Sequence, residues 1–228
     1  MTTALIDADI VSYRCAAASE NEPKEVALLR ASELMQRIID ETKADNYLAY
    51  LSGSNNFRNQ YNPDYKANRK DTPRPKWLQD VREHLVLEWQ ASVEDEQEAD
   101  DAMGIYQMAN KETIICTIDK DLLMIPGEHY NFVTGVHREQ FTIPAIRHFY
   151  WQLIMGDRTD NIFGFDGKAR QSVPQKLEPV MAELASYDDE LDMFSFVRDL
   201  YNDDDRLLMN GICLWIRRNE NEIWKFPT

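Results

Sequence analysis

The chain has no excess of positive charge. Its 228 residues carry 25 lysines and arginines against 40 aspartates and glutamates, a formal net charge of −15. That balance excludes a histone-like coat that holds nucleic acid by bulk charge. It leaves room for an enzyme whose acids sit at a metal site and whose bases are clustered elsewhere. Cysteine is scarce: Cys15, Cys116 and Cys213 lie far apart, with no CxxC or Cys–His zinc spacing. A reduced, cytoplasmic compartment fits that usage. No apolar run approaches the roughly 18 residues of a membrane span, and no basic segment precedes an apolar one at the start, so a membrane is not expected as a partner. Repeats and low-complexity segments are absent as well. What is present is 43% hydrophobic and 11% aromatic residues, enough for a core of one large domain.

Short apolar runs alternate with segments of helical period. Ala4–Ile6, ending in Asp7, reads as a buried strand with a polar carboxyl end. Residues 24–42 place Val26, Leu29, Leu34, Ile38 and Ile39 near helical spacing. Tyr47–Leu51 reads as a second strand, Leu85–Leu87 as a short third, and Thr113–Ile118 as the clearest. Ala99–Ala109 is helical in composition, the chain reads as helical from Ile143 onward, and the acidic stretch Asp188–Asp205 as a solvated helical surface. This alternation predicts an α/β fold with a largely parallel central sheet flanked by helices. Ligands in such folds gather at the carboxyl ends of strands, where Asp7 and Asp119 would stand. The expected division is a core over residues 1–155, with a basic segment at 54–84, and a helical region over 156–228, packed as one compact unit.

Within residues 54–82 the sign of the charge reverses. Seven bases (Arg58, Lys66, Arg69, Lys70, Arg74, Lys76, Arg82) face three acids (Asp64, Asp71, Asp80), with Phe57, Tyr61 and Tyr65 interleaved. Bases mixed with aromatics are the composition of a surface that tracks phosphates and stacks bases, against the plainer reading of a solvated loop. Arg58 and Lys70 are candidate DNA contacts on this ground. Lys168 and Lys176 join them from a second basic run that also holds Arg170.

Four acidic clusters complete the inventory: Asp7 with Asp9, Glu98-Ala99-Asp100-Asp101, Asp119-Lys120-Asp121, and Asp157-Arg158-Thr159-Asp160. A charge at the end of an apolar segment is costly unless paired or bound to a cation. Residues two apart on a strand face the same way, so Asp7 and Asp9 converge if the strand persists, as do Asp119 and Asp121. A regular helix puts Glu98 and Asp101 on one face and turns Asp100 away; a helix that starts there points all three to one centre beside its positive end. Both arrangements stay open in the sequence. Gathered carboxylates repel one another unless a counter-charge is present. Hard divalent cations such as Mg²⁺ supply it through oxygen ligands, and two ions about 4 Å apart can activate water and stabilise the leaving oxygen of a phosphodiester. Singly, each pair is also what a turn or helix cap looks like, Asp160-Asn161 among them.

Taken in order, Asp7 after its apolar strand, Tyr65-Lys66-Ala67-Asn68-Arg69, Glu98-Ala99-Asp100-Asp101, Thr117-Ile118-Asp119-Lys120-Asp121 and Gly156-Asp157-Arg158-Thr159-Asp160-Asn161 resemble the flap endonuclease or 5′-3′ exonuclease family. That family includes the 5′-nuclease domain of bacterial DNA polymerase I and phage-encoded 5′ exonucleases; the compact length is similar to the phage type. The resemblance implies a PIN-like core with a basic arch and a C-terminal helix-hairpin-helix-like region. It implies a nuclease of DNA replication, acting as a 5′-3′ exonuclease and flap endonuclease on DNA with a 5′ end, flap or nick, and in family members often on the RNA of RNA–DNA hybrids. Two Mg²⁺ ions, with Mn²⁺ as a substitute, are implied: Asp7, Glu98, Asp100 and Asp119 around the first, Asp121, Asp157 and Asp160 around the second, and Asp101 close by. Lys66 and Arg69, on a helix at the base of the arch, would contact the scissile phosphate, and Tyr65 would stack on a base. A phage-encoded member would work in the cytoplasm of the host cell.

Two departures from the family pattern stand out. Where relatives carry an Asp at the end of the second strand, this chain has Leu51-Ser52-Gly53, one carboxylate short at the first metal site. Asp9 is the candidate replacement, with a strand-end cap as the plain alternative. The hairpin keeps Gly164-Phe165-Asp166-Gly167, but its later turn aligns either on Gly167-Lys168-Ala169 or on Ser172-Val173-Pro174-Gln175-Lys176. Pro174 has no N–H to offer a phosphate, which leaves the duplex grip and any K⁺ site there open. Three rival readings have content. Asp7-Ala8-Asp9 also resembles the opening of haloacid-dehalogenase-type phosphatases, and Ser52 with the altered hairpin suits a non-catalytic DNA-binding relative. A PIN-type ribonuclease would share the sheet and the acids but would not need the basic segment.

Overall fold

A computed structural model describes residues 1–70 and 72–228. Asp71, one of the acids of the basic segment, lies outside the described residues. The chain forms two compact units: Met1–Asn56 with Pro73–Gln140 and Arg218–Glu220, and Phe57–Thr72 with Phe141–Arg217 and Asn221–Thr228.

The first unit is built on six strands: β1 (Thr3–Asp7), β2 (Asn46–Ser52), β3 (Ser92–Glu94), β4 (Thr113–Cys116), β5 (Gly127–Asn131) and β6 (Val136–Gln140). Their order is β3-β2-β1-β4-β5-β6. Every pair is parallel except the closing β5–β6 hairpin. β1 is buried along its whole length, as a central parallel strand covered on both faces must be. Ala4 and Ile6 join a core with Val11 and Ala16 of α1 (Ala8–Ala18), Met35 and Ile38 of α2 (Lys24–Thr42) and Leu85 of α3 (Leu78–Trp89). α4 (Ala99–Ala109) packs on β1 and β2. The chain winds outward from β1 through β2 to β3, then crosses to β4 on the other side. The carboxyl ends of β1 and β4 therefore flank the point where the winding reverses, the ligand crevice of open α/β sheets.

Three sequence expectations are corrected in this unit. Leu85–Leu87 is not a strand but part of α3; the third strand is Ser92–Glu94. Val81 and Leu85, one helical turn apart, are buried while Leu87 is 77% exposed, so the 3.6-residue period overrides local strand propensity. β1 ends at Asp7, whose carboxylate accepts a hydrogen bond from the Ile10 amide (3.0 Å) and so caps α1. Asp9 therefore lies on a helix and does not continue a strand with Asp7. β4 ends at Cys116, which places Asp119 in a turn and Asp121 at the start of a short 3₁₀ turn, Asp121–Met124.

The second unit holds α5 (Thr142–Met155), α6 (Glu178–Ser186), α7 (Glu190–Tyr201) and α8 (Asp204–Leu214). Within the acidic stretch, two acids are helix caps: Asp189 accepts from Leu191 N (2.8 Å) and Asp203 from Arg206 N (3.0 Å). Residues 156–174 carry no helix, so the Gly164–Gly167 turn has none immediately beside it. The core is aromatic, with Phe149 edge-on to Trp215 at 4.9 Å between ring centres. Among the described residues no helix is long and apolar enough to cross a membrane.

Arg58 belongs to this core, which corrects its expected role as a DNA contact. It is 2% exposed, donates to the carbonyls of Cys213 (2.9 Å) and Trp215 (2.7 Å) where α8 ends, and lies against the Phe57 ring. Those carbonyls have no following turn of helix to bond. Arg58→Met leaves them unsatisfied and is expected to cost about 2–4 kcal/mol of stability; urea unfolding measures it. A loss below about 0.5 kcal/mol, the scale of ordinary surface changes, would return Arg58 to the surface.

Candidate active site

A buried carboxylate closes the carboxyl end of β1. Asp7 is 2% exposed and accepts from the Thr117 hydroxyl at 2.7 Å, just beyond the end of β4. Burial pushes its carboxyl up to about 7; the bonds from Thr117 and Ile10 work against that rise, and the Asp9 and Asp119 carboxylates add to it. Thr117 also accepts from Asp119 N (3.0 Å), and Asp119 accepts from Asp121 N (2.9 Å). The Thr-Ile-Asp-Lys-Asp run is thus a chain of side-chain-to-backbone bonds that folds back on Asp7.

α4 begins at Ala99, so of the two arrangements open in the sequence the structure takes the one with the helix starting at this cluster. Glu98 is the N-cap, and Asp101 is fully buried and accepts from Glu98 N (3.0 Å) in a capping box. Asp101 is therefore turned into the cap and does not point with the others to one centre. Asp100 sits half-buried in the first turn, where the helix end favours negative charge.

Ser52 and Asp9 have partners that the sequence did not reveal. The Ser52 hydroxyl accepts from Ala99 N (3.0 Å), tying the end of β2 to the start of α4. Its amide donates to Asp9 (2.9 Å), and its carbonyl accepts from Arg82 (2.5 Å). Arg82 also pairs with the Asp9 carboxylate. The charge of Asp9 is thus met by a guanidinium, which argues against Asp9 as the substitute for an absent metal ligand. Asp9→Asn should destabilise the fold by about 1–3 kcal/mol through the stranded Arg82, as urea unfolding measures. A loss below about 0.5 kcal/mol would show that the Asp9–Arg82 pair carries little. The signal for Arg82 was present only as one base among seven.

In the second unit two distant motifs are bound together. Gly156 turns the chain out of α5 at φ 68°, in a space where a Cβ would lie 2.5 Å from Gly164 N and Ile162 O. Asp157, 9% exposed, closes the following turn: its carboxylate accepts from Thr159 N (2.6 Å) and Asp160 N (3.1 Å), and its backbone bridges Ile162. Asp160 takes the basic motif. It accepts from the Tyr65 hydroxyl (2.9 Å) and Arg69 (2.5 Å), with Lys66 Nζ at 3.7 Å, and its carbonyl accepts from Lys66 N (3.0 Å). Around it, Arg69 donates to Thr159 O (3.0 Å), Asn68 to Arg158 O (2.8 Å) and Asn161 to Asp64 O (2.9 Å).

Tyr65 is buried, its ring 5.0 Å from Lys66 Nζ, and it offers no open face for stacking on a base in this conformation. Lys66 is not on a helix: its φ is 55°, and only Ala67–Arg69 form a short 3₁₀ turn. Lys70 and Lys168 are exposed, while Lys176 stands 3.8 Å from Asp166. Arg170 pairs with Asp166 and holds that carboxyl below its ordinary range.

Among the described residues, no group of three or more acids, histidines or cysteines stands arranged to hold a metal ion. Several of the candidate acids are engaged otherwise: Asp101 in a cap, Asp9 with Arg82, and Asp160 with Lys66 and Arg69. The donor chemistry nevertheless fits a hard cation. The acids are all oxygen donors, and Asp7 carries a burial penalty that such an ion would offset.

The family model for the 5′-3′ exonuclease N-terminal resolvase-like domain matches residues 2–150. The chain belongs to that family. The 5′-exonuclease of bacteriophage T5 with bound zinc superposes with a TM-score of 0.68 at 16% identity, over 94% of this chain and 89% of that one. The T5 flap endonuclease, in a pseudo-enzyme–product complex with DNA and metal ions, gives 0.66 at 14% identity over the same shares. The catalytic core of Rad2 in complex with DNA substrate gives 0.53 at 15% identity, over 97% of this chain and 78% of that one. No curated protein matches the sequence. The PIN-like 5′-nuclease fold of this 5′-3′ exonuclease family member is thus as its motifs led one to expect. Membership sets aside the dehalogenase-type phosphatase, whose Asp-x-Asp reading already fails because Asp9 is paired with Arg82 on a helix.

Proposed function

We propose that this family member is a divalent-metal-dependent 5′-3′ exonuclease and flap endonuclease acting on DNA with a 5′ end, flap or nick, by a two-metal mechanism, with RNA of RNA–DNA hybrids as a further substrate. The observation that carries the reading is Asp7: a carboxylate buried at the reversal point of the sheet, pushed up to about 7 among neighbouring acids. Its bonds from Ile10 N and Thr117 offset only part of the burial cost, and a cation would offset more.

In the first unit Asp7, Glu98, Asp100 and Asp119 are the side chains to hold an Mg²⁺ or Mn²⁺ ion. Thr117 fixes the Asp7 carboxylate, and Ser52 sets the start of α4. By family resemblance Asp121 of the first unit, and Asp157 and Asp160 of the second, are the remaining acids to serve metal binding. When bound, such ions supply an acidified water and stabilise charge at the leaving oxygen. Lys66 and Arg69 are the side chains to receive the scissile phosphate, and Lys70, Lys168 and Lys176 to track the backbone.

The test is cleavage of a labelled 5′-flap duplex in Mg²⁺, in Mn²⁺ and in chelator. Cleavage in either metal and none in chelator is expected. Cleavage that persists in chelator would overturn the metal mechanism. DNA binding with no cleavage in any metal would favour the non-catalytic relative.

A further inference from the structure

Resting on the nuclease reading, we propose that Ser52 is a positioning residue for the acids of the first unit. Its hydroxyl ties the start of α4, with Glu98 and Asp100, to the end of β2 and to the first turn of α1, which Asp7 caps. Every polar group of Ser52 is engaged, each by a different helix. The amide donates to Asp9 of α1 (2.9 Å), the carbonyl accepts from Arg82 of α3 (2.5 Å), and the hydroxyl accepts from Ala99 N of α4 (3.0 Å). The Arg82 guanidinium takes the Asp9 carboxylate as well, so the node closes on itself through the two arms of one planar fork. The strand end is pinned from its other side too. Ser52 stands opposite Glu94 of β3, and Gly53 N donates to Glu94 O (2.6 Å), where a Cβ on Gly53 would lie 2.4 Å from that oxygen.

Ala99 N is one of the amides that the start of a helix leaves without a partner inside the helix. Ser52 meets it from outside. An untied first turn frays, and gathered carboxylates repel one another, so the acids on that turn would scatter. A tied turn holds Glu98 and Asp100 in one arrangement before an ion arrives, and less of the ordering cost then falls on binding. A hydroxyl does this without adding another negative charge to the cluster. Position 52 is on this account a strut that replaces the work of an absent carboxylate, and not a gap in the site.

The experiment is a calorimetric Mn²⁺ titration of the full chain without DNA, with amide exchange in the first turn of α4 as a second readout that needs no metal. Ser52→Ala is expected to bind Mn²⁺ about tenfold or more weakly than wild type, the scale of losing a group that orients metal ligands. The Ala99 amide should also exchange faster. Ser52→Thr keeps the hydroxyl and suits a strand, so it should return most of the way in both readouts. Met35→Leu, a substitution in the buried core of the first unit, is the control for lost stability and should move neither. A plain vacancy at position 52 predicts no difference between serine and alanine, since neither brings charge to an ion. Equal Mn²⁺ affinity in wild type and Ser52→Ala overturns the positioning role and leaves the nuclease reading standing, as does an equal loss in Met35→Leu. Absence of Mn²⁺ binding to wild type overturns both.

Discussion

Asp7→Asn is expected to lower cleavage of a 5′-flap duplex by at least about 10³-fold, equivalent to about 4 kcal/mol of barrier. The same substitution should make the metal-free protein more stable above neutral pH. Both effects come from one carboxylate. Its removal takes a charge from the acidic site, where Thr117 and Ile10 N fix the carboxylate. The folded-state value near 7 lies above the ordinary 3.8 of an aspartate. A group raised on folding contributes stability that is fully present below the lower value and lost as pH rises through the upper one. Metal-free wild type should therefore lose about 2–3 kcal/mol from this residue between pH 5 and pH 8. Asp7→Asn should not lose it, since an amide carries no charge and remains a competent N-cap. Urea unfolding in chelator at the two pH values measures the difference, and flap cleavage in Mg²⁺ measures the other effect. Turnover within about tenfold of wild type, a barrier change near 1.4 kcal/mol, would remove Asp7 from the chemistry. Parallel pH profiles would show that its burial carries no such charge penalty.

The second large effect is expected at Lys66. Lys66→Ala should slow single-turnover cleavage by about 10²–10³-fold at saturating protein, the usual loss when one stabiliser of developing charge is removed. The backbone is a poor explanation for such a loss. Lys66 holds φ 55°, and alanine carries the same Cβ, so the cost of the left-handed conformation is unchanged. What disappears is an ammonium 3.7 Å from Asp160. Lys70→Ala, an exposed position, is the control: it should weaken DNA binding and lower the salt slope by about one counterion while leaving the saturated rate alone. An unchanged saturated rate in Lys66→Ala would reduce it to a surface charge.

The strands and helices that hold the site were legible because each carries its own signal. The apolar Ala4–Ile6 run needs no partner to read as a buried strand, and α2 and α4 run over the spans their composition gives. Side-chain period was misread where the run was short, and the helical reading from Ile143 onward fails over residues 156–174, which carry no helix. Leu85–Leu87 has strand-like residues, but burial of Val81 and Leu85 on one helix face decides the matter. The edge hairpin β5–β6 had little signal, since its Val136–Gln140 strand is exposed at every residue but Gln140 and mostly polar.

By itself, then, the sequence determined the family, the sheet class and the list of acids, because motif order and periodicity are local properties of the chain. The tertiary structure decided the use of each side chain. Arg58 and Arg69 are alike in a count of bases, yet one satisfies buried carbonyls 155 and 157 residues away and the other pairs with Asp160, 91 residues away. Asp7 and Asp9 are equivalent in a motif, yet the first is buried against Thr117 and the second is met by Arg82. The physical reason is that the cost of a charge is set by its burial and its partner. For these residues the partner comes from far along the chain, where no local pattern records it.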